Sequence, residues 1–113
     1  MKITSVECLV LDEEYPYVIL HTDEGFTGFG ECFRRAPYVS KVAIETVFAQ
    51  LVLGKSPFDS EEIWDSMFKA GAVAGPLGAL LTAAAGIDLA LWDLKGKILN
   101  TPIYNLIGGK RRD

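Results

Sequence analysis

Only two cysteines and one histidine occur among the 113 residues, and each scarcity excludes a class of chemistry. Cys8 and Cys32 fit neither a disulfide framework nor a zinc site. His21 alone leaves no cluster with metal-ligand spacing, and as a strand residue it reads as a satisfied ring rather than a catalytic base. Both cysteines fall in strand-like stretches, where small buried thiols are common, so a reducing cytoplasm is the expected compartment. No block of five like charges occurs and the net charge is −4, which argues against nucleic acid as a partner and against an acidic tail. Lys110 to Arg112 read as a solvated terminus or linker. "MKITSVECLVL" has no apolar h-region, so no signal peptide is expected. The uncharged run from Ala70 to Ile87 approaches the length of a membrane span. Gly71, Gly75, Pro76, Gly78 and Gly86 interrupt it, so it reads as a loop entering a buried helix, with no membrane partner.

What is present suits one domain with a real core. Half the residues are hydrophobic and 23% are charged, an ordinary globular balance. Thr4, Val6, Cys8 and Val10 alternate with Ser5, Glu7 and Leu9, the period of a strand. "YVILHT" (Tyr17 to Thr22) is a second strand, "DEG" (Asp23 to Gly25) turns the chain, and "FTGFGECF" (Phe26 to Phe33) returns as a third. Gly28 and Gly30 share one side of that strand, where they leave room for close packing or mark a bulge.

Helical periods follow. Ile44, Val47, Phe48 and Leu51 make one apolar face, stopped by Gly54. Asp59 and Glu62 have the spacing of a capping box, with Phe58 and Ile63 placed as a hydrophobic staple, and Gly71 ends that helix. Pro76 is placed to open a long third helix at its first position. Ala84, Ile87, Leu91, Leu94 and Ile98 form its seam, with Leu80, Ala83, Leu89 and Ala90 making other sides apolar. Asn100 ends it. "TPIYNLIGG" reads as a short helix with Thr101 as cap, Pro102 as first residue and Gly108 as stop. Strands followed by helices predict an α+β fold: a three-stranded antiparallel meander, then three to four helices.

Several motifs tempt and fail. Lys95 and Lys97 form a K-x-K triplet, but residues two apart on a helix do not share a face. Last-turn lysines instead favour the helix dipole, and Asp93 with Lys97 makes an i, i+4 pair. "GKS" (Gly54 to Ser56) has Ala49 where a phosphate loop needs glycine. Gly28-x-Gly30 has Phe33 in place of the third glycine of a dinucleotide fingerprint. Asp88 and Asp93 lie roughly 140° apart around a helix and cannot chelate one ion together. A carboxylate in an enclosed helix needs donors, and an adjoining domain could supply them.

"HTDEGFTGFGE", then "AAAGIDLALWDLKGKILNTPIYNLIGGKRRD", resembles the amino-terminal domain of the enolase superfamily, in its mandelate racemase and muconate-lactonizing branch. The resemblance runs from Met1 to Asp113. It implies a capping domain beside a C-terminal (β/α) barrel of roughly 250 residues, the usual barrel size. The barrel would hold Mg and the acid/base residues that remove a proton α to a carboxylate. Residues 1–113 are then expected to hold no catalytic residue and no metal ligand, and to be inactive alone. The resemblance also implies that two loops help select a small carboxylate or sugar-acid substrate. One is "DEEYPY" (Asp12 to Tyr17), the other "FRRAPY" (Phe33 to Tyr38). Arg34 and Arg35 are candidate carboxylate readers, and Tyr15, Tyr17 and Tyr38 are candidate pocket walls. Asp88, Trp92 and Asp93 are candidates for docking to the barrel. An acid-sugar dehydratase or racemase is the expected class, with the barrel-facing apolar surface favouring a homo-oligomer. A free-standing interaction module, or one chain of a split enzyme, is the alternative.

Overall fold

A computed structural model of the chain describes residues 1–75 and 77–113. Three strands open it: β1 (Ile3–Leu11), β2 (Tyr15–Thr22) and β3 (Thr27–Glu31). They form one antiparallel sheet in the order β1-β2-β3. Helices follow: α1 (Pro37–Val42) runs through a π-helical segment (Ala43–Phe48) into α2 (Ala49–Val52). Then come α3 (Ser60–Ala72), α4 (Ala79–Ile98) and a 3-10 turn (Ile103–Asn105). The α+β meander-then-helices architecture read from the sequence is the one observed.

The inner face of β2 carries Pro16, Val18, Leu20 and Thr22, all buried, while Tyr15, Tyr17, Ile19 and His21 face outward and are half-buried. Simple alternation in β1 puts Thr4 on the inner face with Val6 and Cys8. Instead Thr4 is exposed and Ile3 is buried. A register shift between Ile3 and Ser5 accounts for this: one extra residue in a strand moves everything before it to the other face. Ile3 thus pairs with Thr22 while Val6 pairs with Leu20, both toward the core.

Helix α4 lies across β3, and the sequence makes that possible by omission. A Cβ on Gly30 would stand 2.0 Å from the Gly86 carbonyl oxygen and 2.6 Å from the Ala90 nitrogen. One on Gly28 would meet the Ala90 oxygen at 2.4 Å, and one on Gly86 would meet Cys32 Sγ at 2.0 Å. The room left by the third strand is therefore filled by helix backbone. Ile87, Leu91 and Leu94 of α4 join Val18, Leu20, Ile44, Phe48, Val52, Ile63 and Met67 in one buried core. Leu89 points away, half-exposed.

Both edges of the sheet are closed by a lysine–carboxylate pair spaced i, i+4 on a helix. At β1, Glu45 Oε1 accepts from the Cys8 N–H at 3.1 Å, and Lys41 Nζ donates to the Cys8 carbonyl at 2.6 Å. At β3, Asp93 Oδ2 accepts from the Phe29 N–H at 2.9 Å, and Lys97 Nζ donates to the Thr27 carbonyl at 2.7 Å. Unpaired edge groups are templates for aggregation, and covering them with charge removes that hazard.

The helix boundaries depart from the sequence expectations in specific ways. The residue Pro76 lies outside the described residues; α4 begins at Ala79, after Gly78 at φ 78°. Asp59 is the N-cap residue of α3 but makes no side-chain cap bond, and Glu62 pairs with Lys55 instead. An opposite charge in reach outcompetes the capping box. The hydrophobic staple is also not supported: Ile63 is buried but Phe58 is half-exposed. Gly71 lies inside the last turn of α3 rather than ending it, and a Cβ there would touch Leu80. Asn100 stops α4 as expected, with φ 50°. Its N–H bonds the Lys97 carbonyl and that of Thr101 bonds Gly96, the paired pattern of a Schellman cap. In the final turn Pro102, not Thr101, is the cap residue, and the Thr101 hydroxyl accepts from Asn105 Nδ2 at 3.0 Å.

Candidate functional site

The K-x-K triplet is structural, and its two lysines diverge. Lys95 Nζ hydrogen-bonds Ser60 Oγ and sits 4.4 Å from the Trp92 ring centroid. Lys97 holds Asp93 at 2.6 Å and lies 4.6 Å from the Phe29 ring centroid. These are packing and charge contacts that fasten α4 to α3 and to β3.

Of the three residues read as barrel-docking candidates, Asp93 finds its donors within the chain, from Phe29 N and Lys97 Nζ. An outside donor is not needed to satisfy it. Asp88 and Trp92 are half-buried on α4. Burial pushes the Asp88 carboxyl above its ordinary value of 3.8; the Lys95 charge pulls it back, Glu61 pushes it further up, and the Trp92 indole pulls it down. Asp88, Trp92, Lys95, Ser60 and Glu61 thus form one polar patch where α3 meets α4.

The two loops read as substrate-selecting come together at one end of the sheet. The first is shorter than expected: Tyr15 and Tyr17 already belong to β2, so the turn is Asp12 to Glu14. Asp12 and Glu13 both have positive φ, 50° and 57°, as the two central residues of a type I′ turn require. The second runs from Cys32 to Ala36, between β3 and α1. Glu13 accepts a hydrogen bond from the Tyr38 hydroxyl, and Arg34 Nη1 lies 3.5 Å from Glu14 Oε1. That bond, then burial and the Glu13 charge, raise the Tyr38 phenol. The Glu31 charge, then burial and a 3.4 Å hydrogen bond to Glu31, raise Tyr17. Both phenols therefore keep their protons at neutral pH. Arg35 is exposed and makes no ion pair among the described residues. A recess of about 180 Å³ adjoins the second loop, lined by Phe33, Ala36, Ser40, Gly78, Ala79 and Thr82. Beyond it lies an apolar groove of about 490 Å³ along Tyr38, Val39, Val42, Ala43, Val47 and Leu80.

Local spacing does not single out Glu13 or Glu14, because their partners are distant in the chain; Glu31 closes the "HTDEGFTGFGE" stretch, but nothing local announces its bond to Tyr17. Lys41 and Glu45 had a visible i, i+4 signal, but nothing local announces that they cover a strand edge.

The model of the mandelate racemase / muconate lactonizing enzyme N-terminal domain matches residues 4–108. The chain belongs to this family. Its mandelate racemase-type N-terminal domain is 41% identical to a D-galactonate dehydratase of Xanthomonas campestris pv. campestris (strain B100), across the whole chain and 29% of that relative. A D-galactonate dehydratase of Ralstonia pickettii (strain 12J) is 38% identical over the same shares. The chain thus spans about 29% of the length of the curated relatives it matches. Among solved structures, a mandelate racemase/muconate lactonizing protein from Paracoccus denitrificans PD1222 complexed with magnesium superposes with a TM-score of 0.92 at 32% identity. That match covers 98% of this chain and 31% of the other. An enolase from Pantoea ananatis with bound D-gluconate and Mg gives 0.87 at 35% identity, covering 99% and 28%. These homologues therefore carry further polypeptide more than twice this domain's length.

The chain's own residues do not fit a metal: among those described, no three of His, Cys, Asp or Glu converge on a possible ion site. The thiols are ill-suited as nucleophiles. Burial, with smaller contributions from Cys8 and Glu31, pushes Cys32 up to about 12, and burial raises Cys8 against the pull of Lys41. No helix among the described residues is long and apolar enough to cross a membrane.

Proposed function

We propose that residues 1–113 are the capping and specificity domain of a magnesium-dependent acid-sugar dehydratase, acting on an aldonic acid. The observation that carries this is the 41% identity to a D-galactonate dehydratase along the whole chain. The placement of Arg34 and Arg35 on the loop that leads into α1, with Tyr38 in its first turn, supports it. In such a dehydration the proton α to the carboxylate is removed and the β-hydroxyl leaves as water. The enol left behind tautomerises to a 2-keto-3-deoxy acid. Metal and acid/base groups belong, in this reading, to a C-terminal (β/α) barrel outside these residues, so no step of the reaction is assigned to this chain.

The chain's part is binding. Arg35, exposed and without an acidic partner among the described residues, is the first candidate to receive the substrate carboxylate, because a guanidinium fork matches that anion. Phe33 walls the recess beside it and Tyr38 the apolar groove beyond. Tyr15 and Tyr17, on the outer sheet face, flank the turn. Asp88 and Trp92 are the candidates for docking to the barrel, and Asp93 supports them by fixing α4 to β3. The assembled protein is read as a cytoplasmic homo-oligomer, with exposed apolar residues such as Leu9, Leu11, Val42 and Phe29 covered in the assembly.

The test uses the full-length protein with Mg²⁺ and a panel of aldonic acids that includes D-galactonate and D-gluconate. Loss of one water per acid, followed by mass, is the expected result. Arg35→Gln should then raise KM about tenfold with kcat little changed, near the lower bound for losing a hydrogen bond to a charged group. No dehydration of any acid in the panel would overturn the proposed reaction; an unchanged KM would remove Arg35 from the binding role.

A further inference from the structure

We propose that the recess between the β3–α1 loop and the first turn of α4 is a binding site for a small oxyanion, a carboxylate or phosphate group. The Ser40 hydroxyl and the first N–H groups of α4 hold it. The functional reading above gives the substrate carboxylate to Arg35 and assigns no ligand to the recess, so this site goes beyond that reading and does not depend on it.

The helix end comes first. α4 runs for 20 residues from Ala79, its N-cap is Gly78, which has no side chain to offer, and no acid stands in its first turn. The N–H of Thr82 bonds the Gly78 carbonyl at 3.0 Å. The N–H groups of Ala79, Leu80 and Leu81 have no acceptor among the described residues. Free N–H groups at the positive end of a helix dipole attract anions.

Ser40 points to the same place independently. It is 3% exposed, yet its hydroxyl has no hydrogen-bond partner among the described residues. Every fully enclosed side-chain oxygen or nitrogen among them does have one. The Ser40 hydroxyl is therefore not enclosed, and the space it lines is this recess. The Thr82 hydroxyl on the opposite wall is already used, donating to the Ala79 carbonyl at 2.9 Å. A nearly buried donor without a partner is costly until one arrives.

Charge agrees with both. None of the residues lining the recess is acidic. Arg34 and Arg35 lie in the chain between two of them, Phe33 and Ala36. At about 180 Å³ the recess takes a group of a few heavy atoms, since one water fills about 30 Å³.

Amide NMR on the full-length protein, isotope-labelled on its alanine and leucine nitrogens, tests the site. Inorganic phosphate is titrated in one arm. D-galactonate is titrated in the other, with metal removed so that it is not turned over. Chloride at matched ionic strength is the control. At least one of the two anions should shift the Leu80 and Leu81 amides saturably, and chloride should not. Phosphate alone doing so marks a phosphate site; D-galactonate doing so means that a substrate carboxylate reaches it. Ser40→Ala should weaken the binding about tenfold, as losing a hydrogen bond to a charged group does. Ala79→Asp, at an exposed position, places a fixed carboxylate in the first turn. It should abolish the saturable shift while raising the unfolding temperature. Amides unmoved by both anions, an affinity unchanged in Ser40→Ala, or an Ala79→Asp protein that binds as well as the parent would each overturn the site. Saturable phosphate shifts in a protein that dehydrates no acid of the panel would leave the site standing and sink the functional reading alone.

Discussion

The seam between β3 and α4 and the loop end of the sheet are held by opposite means. At the seam, Gly28, Gly30, Gly86 and Ala90 bring strand and helix backbones together, and nothing can be added. At the loop end, long charged side chains reach across solvent, and each contact is weak. A seam built from missing atoms tolerates no enlargement and cannot drift. A junction built from exposed polar groups can be broken and remade by thermal motion or by a ligand. The first fixes a geometry; the second leaves one adjustable.

The largest expected effect lies in the seam. Gly30→Ala places a methyl group on the Gly86 carbonyl and the Ala90 nitrogen, both backbone atoms that cannot swing aside. It should destabilise the fold by about 3 kcal/mol, toward the upper end for overpacking, as measured by urea unfolding. A loss below about 0.5 kcal/mol would show that the seam yields, and would erase the contrast with the loops.

Next comes the polar edge of the same seam. Asp93→Ala leaves the Phe29 N–H without its acceptor and Lys97 without its partner. About 2 kcal/mol should be lost, and amide exchange at Phe29 should accelerate. An unchanged exchange rate would mean that water replaces the carboxylate without penalty.

A smaller effect, of opposite sign, is expected at Asp88. Its folded pKa is raised above 3.8, chiefly by burial, so the folded state holds its proton more tightly than the unfolded state. Ionisation then subtracts stability as pH rises from 3.8 through the raised value, and the full penalty remains at neutral pH. Asp88→Asn should therefore raise the unfolding temperature at pH 7, with the gain disappearing below pH 3.8. A gain that persists in acid would assign the effect to something other than the charge. Glu45 runs the other way. Burial pushes it up, but the Lys41 hydrogen bond, the Cys8 N–H and the Lys41 charge hold it below 4.5 overall. Its contribution is present above pH 4.5 and fades as pH falls through the lowered value.

The smallest effect belongs to the loop end. Glu14→Gln should change global stability by no more than about 0.5 kcal/mol, as exposed ion pairs do. A loss comparable to that at Asp93 would show that the loops are part of the scaffold.

Much of this was legible in the residues. The "DEG" hairpin, the long apolar face of α4 and the Asn100 stop were all readable, because each depends on neighbours within a few positions. Gly28 and Gly30 announced that something packs closely, but only the fold named it as α4. The capping box at Asp59 was misread because Lys55 offers Glu62 a stronger partner. A bulge leaves no trace in an alternating pattern, so only the fold shows that Ile3 rather than Thr4 faces inward on β1. At the candidate site, Arg34, Arg35 and Tyr38 could be singled out, yet Glu13 and Glu14 could not. Tyr15 is a strand residue rather than a loop residue, and Tyr17 lies in the second strand, where the sequence pattern also places it.

The sequence by itself determined the order of strands and helices, the buried periodicity and the family, since these are carried by local spacing and ordered motifs. The tertiary structure alone decided which charges meet. Lys41 with Cys8, Asp93 with Phe29, Arg34 with Glu14 and Tyr38 with Glu13 are pairings across the chain. Their energies depend on separation in space, which no local pattern of residues encodes.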